Sequence, residues 1–265
     1  MQQDDFEQAP IHYSETEPSD PLANWQSRLR NHSLKFDHSS ERVLLKRLLR
    51  VLNVSKASQV LVFSKTSLQI DHIRPSGPRA VYFSEEYHIG WVRGGAIEII
   101  SFDDKIGLIF YTMTVPDRNS ASIRTFIRSR DCLGCHNDSR TDHVPGVLVR
   151  SLNTDVCGFP IFSAGSFRTN PKSPLKERWA GWYVTRSNGG ECHMENSIWG
   201  IPYGEFHMGN LLRRETAAVD NSLHPVRDLG VTLETHNVVL EIKPYLQNTG
   251  DVVALMVMKH QMSCS

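Results

Sequence analysis

Residues 132–136 read Cys-Leu-Gly-Cys-His, a C-x-x-C-H pattern that constrains the fold more than any other feature of the chain. This spacing is the attachment signal of a c-type haem. Two thiols add across the two vinyl groups of one porphyrin edge, and the imidazole that follows binds the iron. Cys132 and Cys135 are therefore the predicted tethers, and His136 is the predicted proximal ligand. We expect the rest of the fold to be organised around this segment.

A zinc site is the main alternative interpretation of the same residues. With 5 cysteines and 12 histidines in 265 residues, C-x-x-C-H arises by chance in roughly 0.4% of such chains. In a zinc site, Cys132, Cys135 and His136 would be joined by Cys192 and His193. Structural zinc sites usually space their second pair of ligands by several positions, whereas Cys192 and His193 are adjacent. The pattern therefore favours haem.

Composition limits the classes of protein to which the chain can belong. With 40% apolar residues it can bury a sizeable core, and its 29 basic and 29 acidic residues give no global field that would attract nucleic acid. The longest apolar run, residues 252–258, is too short for a membrane span. The sequence also lacks the G-x-S-x-G, phosphate-loop and H-E-x-x-H patterns. We predict no nucleic-acid partner and no transmembrane segment.

The N-terminal residues bear on where the protein works. Residues 1–5 have neither the basic start nor the apolar centre of an export signal. Covalent attachment of haem normally takes place outside the cytoplasm. We therefore expect a periplasmic or otherwise exported protein, and we interpret this chain as a mature or truncated form without its signal peptide.

The pattern along the chain predicts an α+β fold with two regions. Residues 1–37 are polar and proline-containing, which is typical of an extended or disordered leader. Residues 38–265 are predicted to form one haem-binding domain. In it, Ser39 or Ser40 caps an amphipathic helix that runs to about Asn53. A short helix from Ile123 is predicted to lead into the C-x-x-C-H segment.

Five short β-branched or aromatic runs predict an antiparallel sheet before the motif, with a hairpin around Asp103 and Asp104. The runs span residues 60–63, 80–83, 88–92, 96–102 and 106–113. Residues 141–210 are rich in loops, with short strands predicted at 147–152 and 182–185, and wrapping a cofactor would explain so long an irregular stretch. A helix is predicted from Asp251 to about Gln261. This organisation differs from the small all-helical cytochrome c fold.

Five segments after the motif carry a family resemblance. They are residues 144–151 (VPGVLVRS), 163–169 (SAGSFRT), 173–179 (SPLKERW), 181–185 (GWYVT) and 207–210 (HMGN). Together with C-x-x-C-H, they resemble a family of bacterial monohaem proteins described as cytochrome c domain proteins. The resemblance covers about residues 59–262, and residues 188–204 form a longer insert than the family has. It implies a covalent haem and export, and no more specific activity.

The sixth ligand decides what a haem can do, because a second strong ligand suits electron transfer and an open face permits gas or peroxide chemistry. His207 is our first prediction, because it lies in a glycine-flanked loop that can approach a porphyrin closely. Met208 and His260 are the alternatives. His193, Met194, Met113, His143 and an open site remain further options.

Cationic and aromatic residues are predicted to surround the macrocycle. The propionate carboxylates need polar or cationic partners where they are partly buried, and Arg150, Arg168 and Arg178 are the candidates. Trp182 is predicted to pack on the macrocycle edge. Each of these residues has an ordinary alternative role, as a loop-bracing arginine or a core aromatic.

The sequence therefore predicts a monohaem c-type cytochrome that transfers electrons or senses redox state with a redox partner protein. The alternatives are a peroxidase-like haem oxidoreductase with a small-molecule substrate, a gas-sensing haem module, and a structural zinc protein.

Overall fold

The structure is a computed structural model and describes residues 5–31, 40–113, 126–137, 141, 143–184, 198–199, 234–235, 238–239, 243–247 and 252–264. Its helices are α1 (Pro21–Arg30), α2 (Glu41–Val51), α3 (Leu133–His136) and α4 (Val252–Cys264). Its strands up to the C-x-x-C-H segment are β1 (Val60–Val62), β2 (Arg79–Phe83), β3 (Tyr87–Trp91), β4 (Ile97–Asp103), β5 (Gly107–Met113) and β6 (Ile127–Arg128). Its later strands are β7 (Arg150–Leu152), β8 (Thr154–Asp155), β9 (Ser166–Arg168), β10 (Trp182–Tyr183), β11 (Ile198–Trp199), β12 (Glu234–Thr235) and β13 (Val238–Val239).

One antiparallel sheet of seven strands forms the centre of the α+β fold, in the order β10-β1-β2-β3-β4-β5-β6. The five strands predicted before the motif are confirmed as β1 to β5. The predicted hairpin is confirmed as well, with Asp103 opposite Gly107. The fold is not the small all-helical one, as predicted. Strands β7 and β9 pair outside this sheet, and β10 returns from the later part of the chain to pair with β1.

The register of the sheet separates two faces, because residues directly opposite one another on neighbouring strands share a face. One row across β2 to β5 is Tyr82, Ile89, Ile99 and Tyr111, and we call this side the helix face. The next row is Phe83, His88, Ile100 and Phe110, and we call this side the cleft face. The helix face holds most of the apolar core, and the cleft face holds the candidate site.

Helix α2 covers part of the helix face. Ser40 caps it by accepting a hydrogen bond from the Val43 amide at 3.2 Å, as the sequence predicts. Its apolar stripe is buried in the core with the strands, namely Leu44, Leu45, Leu48 and Leu49. A one-sided stripe of this kind makes the helix stable only where it packs against the sheet.

The N-terminal segment differs from the extended leader that we expected, because residues 5–31 fold and pack on the same core. Helix α1 begins after Asp20, whose side chain accepts from the Leu22 amide and from the Tyr111 hydroxyl at 2.6 Å. Phe6, Tyr13, Leu22 and Leu29 are buried in the core. The few apolar positions of this polar segment are thus enough to fix it, since each is fully covered.

The approach to the motif also differs from the prediction. Instead of a helix, residues 127–128 form the edge strand β6, in which Arg128 lies opposite Tyr111. The Arg128 guanidinium donates to the backbone carbonyls of Tyr13 and Thr16, so it ties this strand to the N-terminal segment. After α3, residues 143–184 run through short strands and turns, and α4 then packs on the cleft face through Leu255 and Met258.

None of the helices in the described ranges is long and apolar enough to cross a membrane.

The packing of α1 predicts the effect of truncating its most deeply buried apolar residue. Leu22 has no exposed surface, so Leu22→Ala should lower the free energy of unfolding by about 2 to 5 kcal/mol in chemical denaturation. The matched control is Leu68→Ala, whose side chain is 49% exposed and should cost about 0.5 kcal/mol or less. Equal small losses for the two variants would show that the N-terminal segment does not pack on the core.

Candidate functional site

The C-x-x-C-H segment forms a single helical turn, α3. The amides of Cys135 and His136 both donate to the Cys132 carbonyl, at 3.1 and 3.0 Å. The turn places both thiols and the imidazole on one short rigid element. Leu133 is buried and anchors the turn in the core. The spacing in the sequence therefore places two thiols and one imidazole along one helical turn.

Two hydrogen bonds join His136 to Gly146 across the loop that follows. The His136 Nδ1–H donates to the Gly146 carbonyl at 2.7 Å, and the Gly146 amide donates to the His136 carbonyl at 2.8 Å. Because a carbonyl can only accept, Nδ1 carries the proton, and the lone pair of a neutral imidazole then lies on Nε2. A methyl group on Gly146 would lie 3.0 Å from Thr141 Cβ, so the site favours glycine there.

The imidazole lies against the cleft face of the sheet. Its ring centroid is 4.8 Å from that of Phe110 on β5, with the planes tilted by 36°. Phe110 is buried, so this contact fixes one side of the ring. The hydrogen bonds to Gly146 and the contact with Phe110 together set both the tautomer and the orientation of His136.

Two cavities share residues 147–149 in their linings. The smaller cavity, about 140 Å³, is lined by Cys135 and His136 from the motif and by Val62, Ile100 and Trp182 from the sheet. The larger cavity, about 450 Å³, is lined by Gly146 and by no residue of α3. Pockets of several hundred Å³ hold cofactor-sized ligands. The larger cavity has this size, whereas the motif itself borders the smaller one.

The two motif thiols differ in exposure. Cys132 is half-buried and Cys135 is exposed, and neither forms a disulfide. Burial raises the pKa of the Cys132 thiol, while a hydrogen bond from Ser129 acts in the opposite direction. Burial thus favours the thiol over the thiolate at Cys132.

A buried ion pair lies on the cleft face beside the smaller cavity. The Arg79 guanidinium crosses the strand β3 at Gly90 to reach the Glu98 carboxylate on β4. A methyl group at position 90 would lie 2.2 Å from Arg79 Nη2, so only glycine leaves room for this crossing. Their side chains are 22% and 11% exposed, so each charge depends on the other for its solvation.

Helix α4 contributes three residues to the cavities. Met258 lines the smaller cavity, Lys259 lines the larger one, and Met262 lines both. Lys259 is 1% exposed, and its ammonium lies 5.9 Å from the centroid of the Trp179 ring. Burial, with the Arg178 charge adding to it, lowers the pKa of Lys259 to about 7. An anion in the larger cavity would favour the charged form.

The predicted propionate partners lie in different places. Arg150 lines the smaller cavity and donates to the Ser166 hydroxyl at 2.8 Å, and Arg168 lines the larger cavity. Arg178 is buried and donates to the backbone carbonyls of Pro171 and Ser173, so it braces its own loop. Trp182 lines the smaller cavity, and its Nε1–H donates to the Arg150 carbonyl at 2.8 Å. Arg150 and Trp182 thus share a cavity with Cys135 and His136.

Of the three sixth ligands that we predicted first, only His260 lies within the described residues. His207 and Met208 lie outside the ranges that the structure describes, as does the pair Cys192 and His193. His260 is exposed on α4 and lines neither cavity.

The sequence did not single out four of the lining residues discussed here, namely His88, Met258, Lys259 and Met262. His88 belongs to a strand of which every residue is buried, and this pattern gave no reason to single out one polar side chain. Lys259 left a clearer signal, since it directly follows the apolar run 252–258. Lysine is rarely fully buried, so such a position merits attention.

In the part of the chain that the structure describes, no group of three or more His, Cys, Asp or Glu side chains comes together as a metal site. The chain matches no protein-family model, no curated protein and no solved structure.

The ion pair beside the smaller cavity predicts a non-additive pair of substitutions. Arg79→Met leaves the Glu98 carboxylate buried without its partner and should cost about 3 to 5 kcal/mol in the free energy of unfolding. Adding Glu98→Leu removes the orphaned charge and should recover most of this loss. Lys46→Met, which removes an exposed cation from α2, is the control. Chemical denaturation of these three variants and of the single Glu98→Leu variant checks this, and additive losses would contradict a coupled pair.

Proposed function

We propose that this protein is a monohaem c-type cytochrome that acts outside the cytoplasm in electron transfer or redox sensing. The observation that carries the proposal is the imidazole of His136. It sits on the same helical turn as two unpaired thiols, its Nδ1 donates to a backbone carbonyl, and it borders a cavity. Metal-binding histidines characteristically donate their other ring nitrogen to such an acceptor, which fixes the ring and raises its basicity.

The residues at the site fit a covalently held haem. Cys132 and Cys135 would form the thioether links, and His136 Nε2 would bind the iron. Trp182 would pack against the macrocycle in the smaller cavity. Arg150, Arg168 and Lys259 line the two cavities and are the cations available for the propionate carboxylates. Arg178, whose guanidinium holds its own loop, would act on that loop instead.

Bound haem supplies a one-electron couple, whose potential is set by the axial ligands, hydrogen bonds and burial. The protein's part is to hold the group rigidly and to limit the entry of water. His136 is fixed by Gly146 and Phe110, so the proximal ligand would keep one orientation in both redox states. Because Cys135 is exposed, the adjoining edge of the macrocycle would be accessible to a redox partner protein.

An extracytoplasmic location follows from the same proposal, since covalent haem attachment normally takes place there. The enzyme alternative, a peroxidase-like oxidoreductase, requires a vacant or weakly held sixth position at the iron. The buried imidazole of His88, which lines the same cavity as His136, favours electron transfer over that alternative.

Covalent attachment of haem predicts the outcome of substituting each motif cysteine. In a host that matures haem c, Cys132→Ala and Cys135→Ala should each lose at least one thioether link, and the double variant should carry no covalent haem after denaturation. Mass spectrometry of the denatured chain measures this directly. Cys157→Ala is the matched control, because Cys157 is also an exposed unpaired cysteine but lies outside the motif. Its mass should include one full haem.

A double cysteine variant that still carries covalent haem would contradict the proposal, and so would a wild-type chain that carries none. His136→Ala separates the two roles of the motif, since it should leave the thioether links in place and change the spectrum of the bound group.

A further inference from the structure

His88 is a buried histidine on the cleft face for which the proposed proximal site gives no role. It lies in the middle strand β3, opposite Phe83 on β2 and Ile100 on β4. Ile100 lies in turn opposite Phe110, the residue that contacts the His136 ring. His88 is therefore part of this row, and His136 contacts the row at Phe110. His88 and Phe110 are two strand spacings apart, which is roughly 10 Å. A flat group standing over Ile100 would have one imidazole on each side.

The Nε2 atom of His88 is buried and has no hydrogen-bond partner among the described residues. The residue is 8% exposed and lines the same cavity as Cys135 and His136. Its ring stacks beside that of Phe83, with 6.4 Å between centroids, so the side chain is held in place. A buried nitrogen without a partner costs about 1 to 3 kcal/mol, which a ligand bound at this nitrogen would recover in part.

An imidazole nitrogen without a hydrogen-bond partner can bind a metal through its lone pair. The charged groups Arg79 and Glu98, on the same face of the sheet, already pair with each other. They therefore do not account for the unpaired nitrogen.

Met258 and Met262 line the same cavity and are the competing ligands among the described residues. A thioether sulfur is only a weak hydrogen-bond acceptor and is satisfied by apolar contacts. Met258 has such contacts, since it is fully buried in a cluster with Val60 and Leu255. The packing thus accounts for methionine at this position without a metal, whereas it leaves His88 Nε2 unexplained.

We propose that His88 Nε2 is the second axial ligand of the haem iron, opposite His136, an inference that rests on the proposed function above. Iron held by two imidazoles is six-coordinate and low-spin, and neither face is open to a substrate or gas. The site would then be suited to electron transfer. It would not act as a peroxidase or bind gases without first losing a ligand.

The test uses the full chain, matured with haem in a suitable host. Wild type should give a low-spin spectrum and no carbon monoxide complex when reduced. Its near-infrared magnetic circular dichroism should be of the two-imidazole type. His88→Ala should keep one covalent haem but become high-spin and bind carbon monoxide. Added imidazole should restore the low-spin spectrum, because it can occupy the space left by the side chain. His88→Gln, which keeps a polar side chain of similar size, should also be high-spin.

Matched variants identify the ligand if it is not His88. Met258→Leu and Met262→Leu should stay low-spin, and so should His260→Gln on the exposed side of α4 and His207→Ala. A His88→Ala protein with an unchanged spectrum overturns the proposal, as does a histidine–methionine signature in wild type. If His88→Ala fails to fold, His88→Gln takes its place, and a low-spin His88→Gln protein overturns the proposal. Absence of covalent haem in wild type would instead overturn the proposed function itself, so the two failures are distinguishable.

Discussion

The pair of hydrogen bonds between His136 and Gly146 is the interaction on which the account of the site depends. One bond fixes the imidazole tautomer and the other fixes the backbone of the loop that returns past it. Without this clamp, the histidine of a C-x-x-C-H turn could rotate away from the cavity. With it, the chain continues into residues 147–149, which line both cavities. Glycine is favoured at position 146 because a methyl group there would crowd Thr141.

The two faces of the central sheet carry different kinds of side chains. The helix face buries the apolar rows under α1 and α2, and it supplies the stability that one large core can give. The cleft face carries groups that an ordinary core avoids, including the Arg79–Glu98 pair and the unpaired His88 nitrogen. Buried polar groups of this kind reduce stability unless they have partners. Arg79 and His88 line the smaller cavity, where a bound group would contact them.

Periodicity predicted the sheet well and the rest of the chain less well. Alternating apolar runs located β1 to β5 to within a residue or two, and Ser40 marked the start of α2. The N-terminal segment was harder, because its composition is polar and its burial rests on a few side chains such as Phe6 and Leu22, which only tertiary contacts reveal. The edge strand β6 was mistaken for a helix because two residues are too few to show a period.

The motif alone predicted Cys132, Cys135 and His136 as one unit, because local spacing determines a single helical turn. The partners of that unit come from distant strands and from α4. Trp182 reaches the cavity through the pairing of β10 with β1, and His88 reaches it through the register of β3. Register over such separations is set by the whole sheet, so His88 could not be singled out from sequence.

The most direct test of the central claim is an alkaline pyridine spectrum, combined with metal analysis of the same sample, on protein purified from a host that attaches haem c. The account predicts one covalently bound haem and one iron per chain, with no stoichiometric zinc. Zinc bound without haem would contradict it and would make residues 132–136 part of a structural metal site.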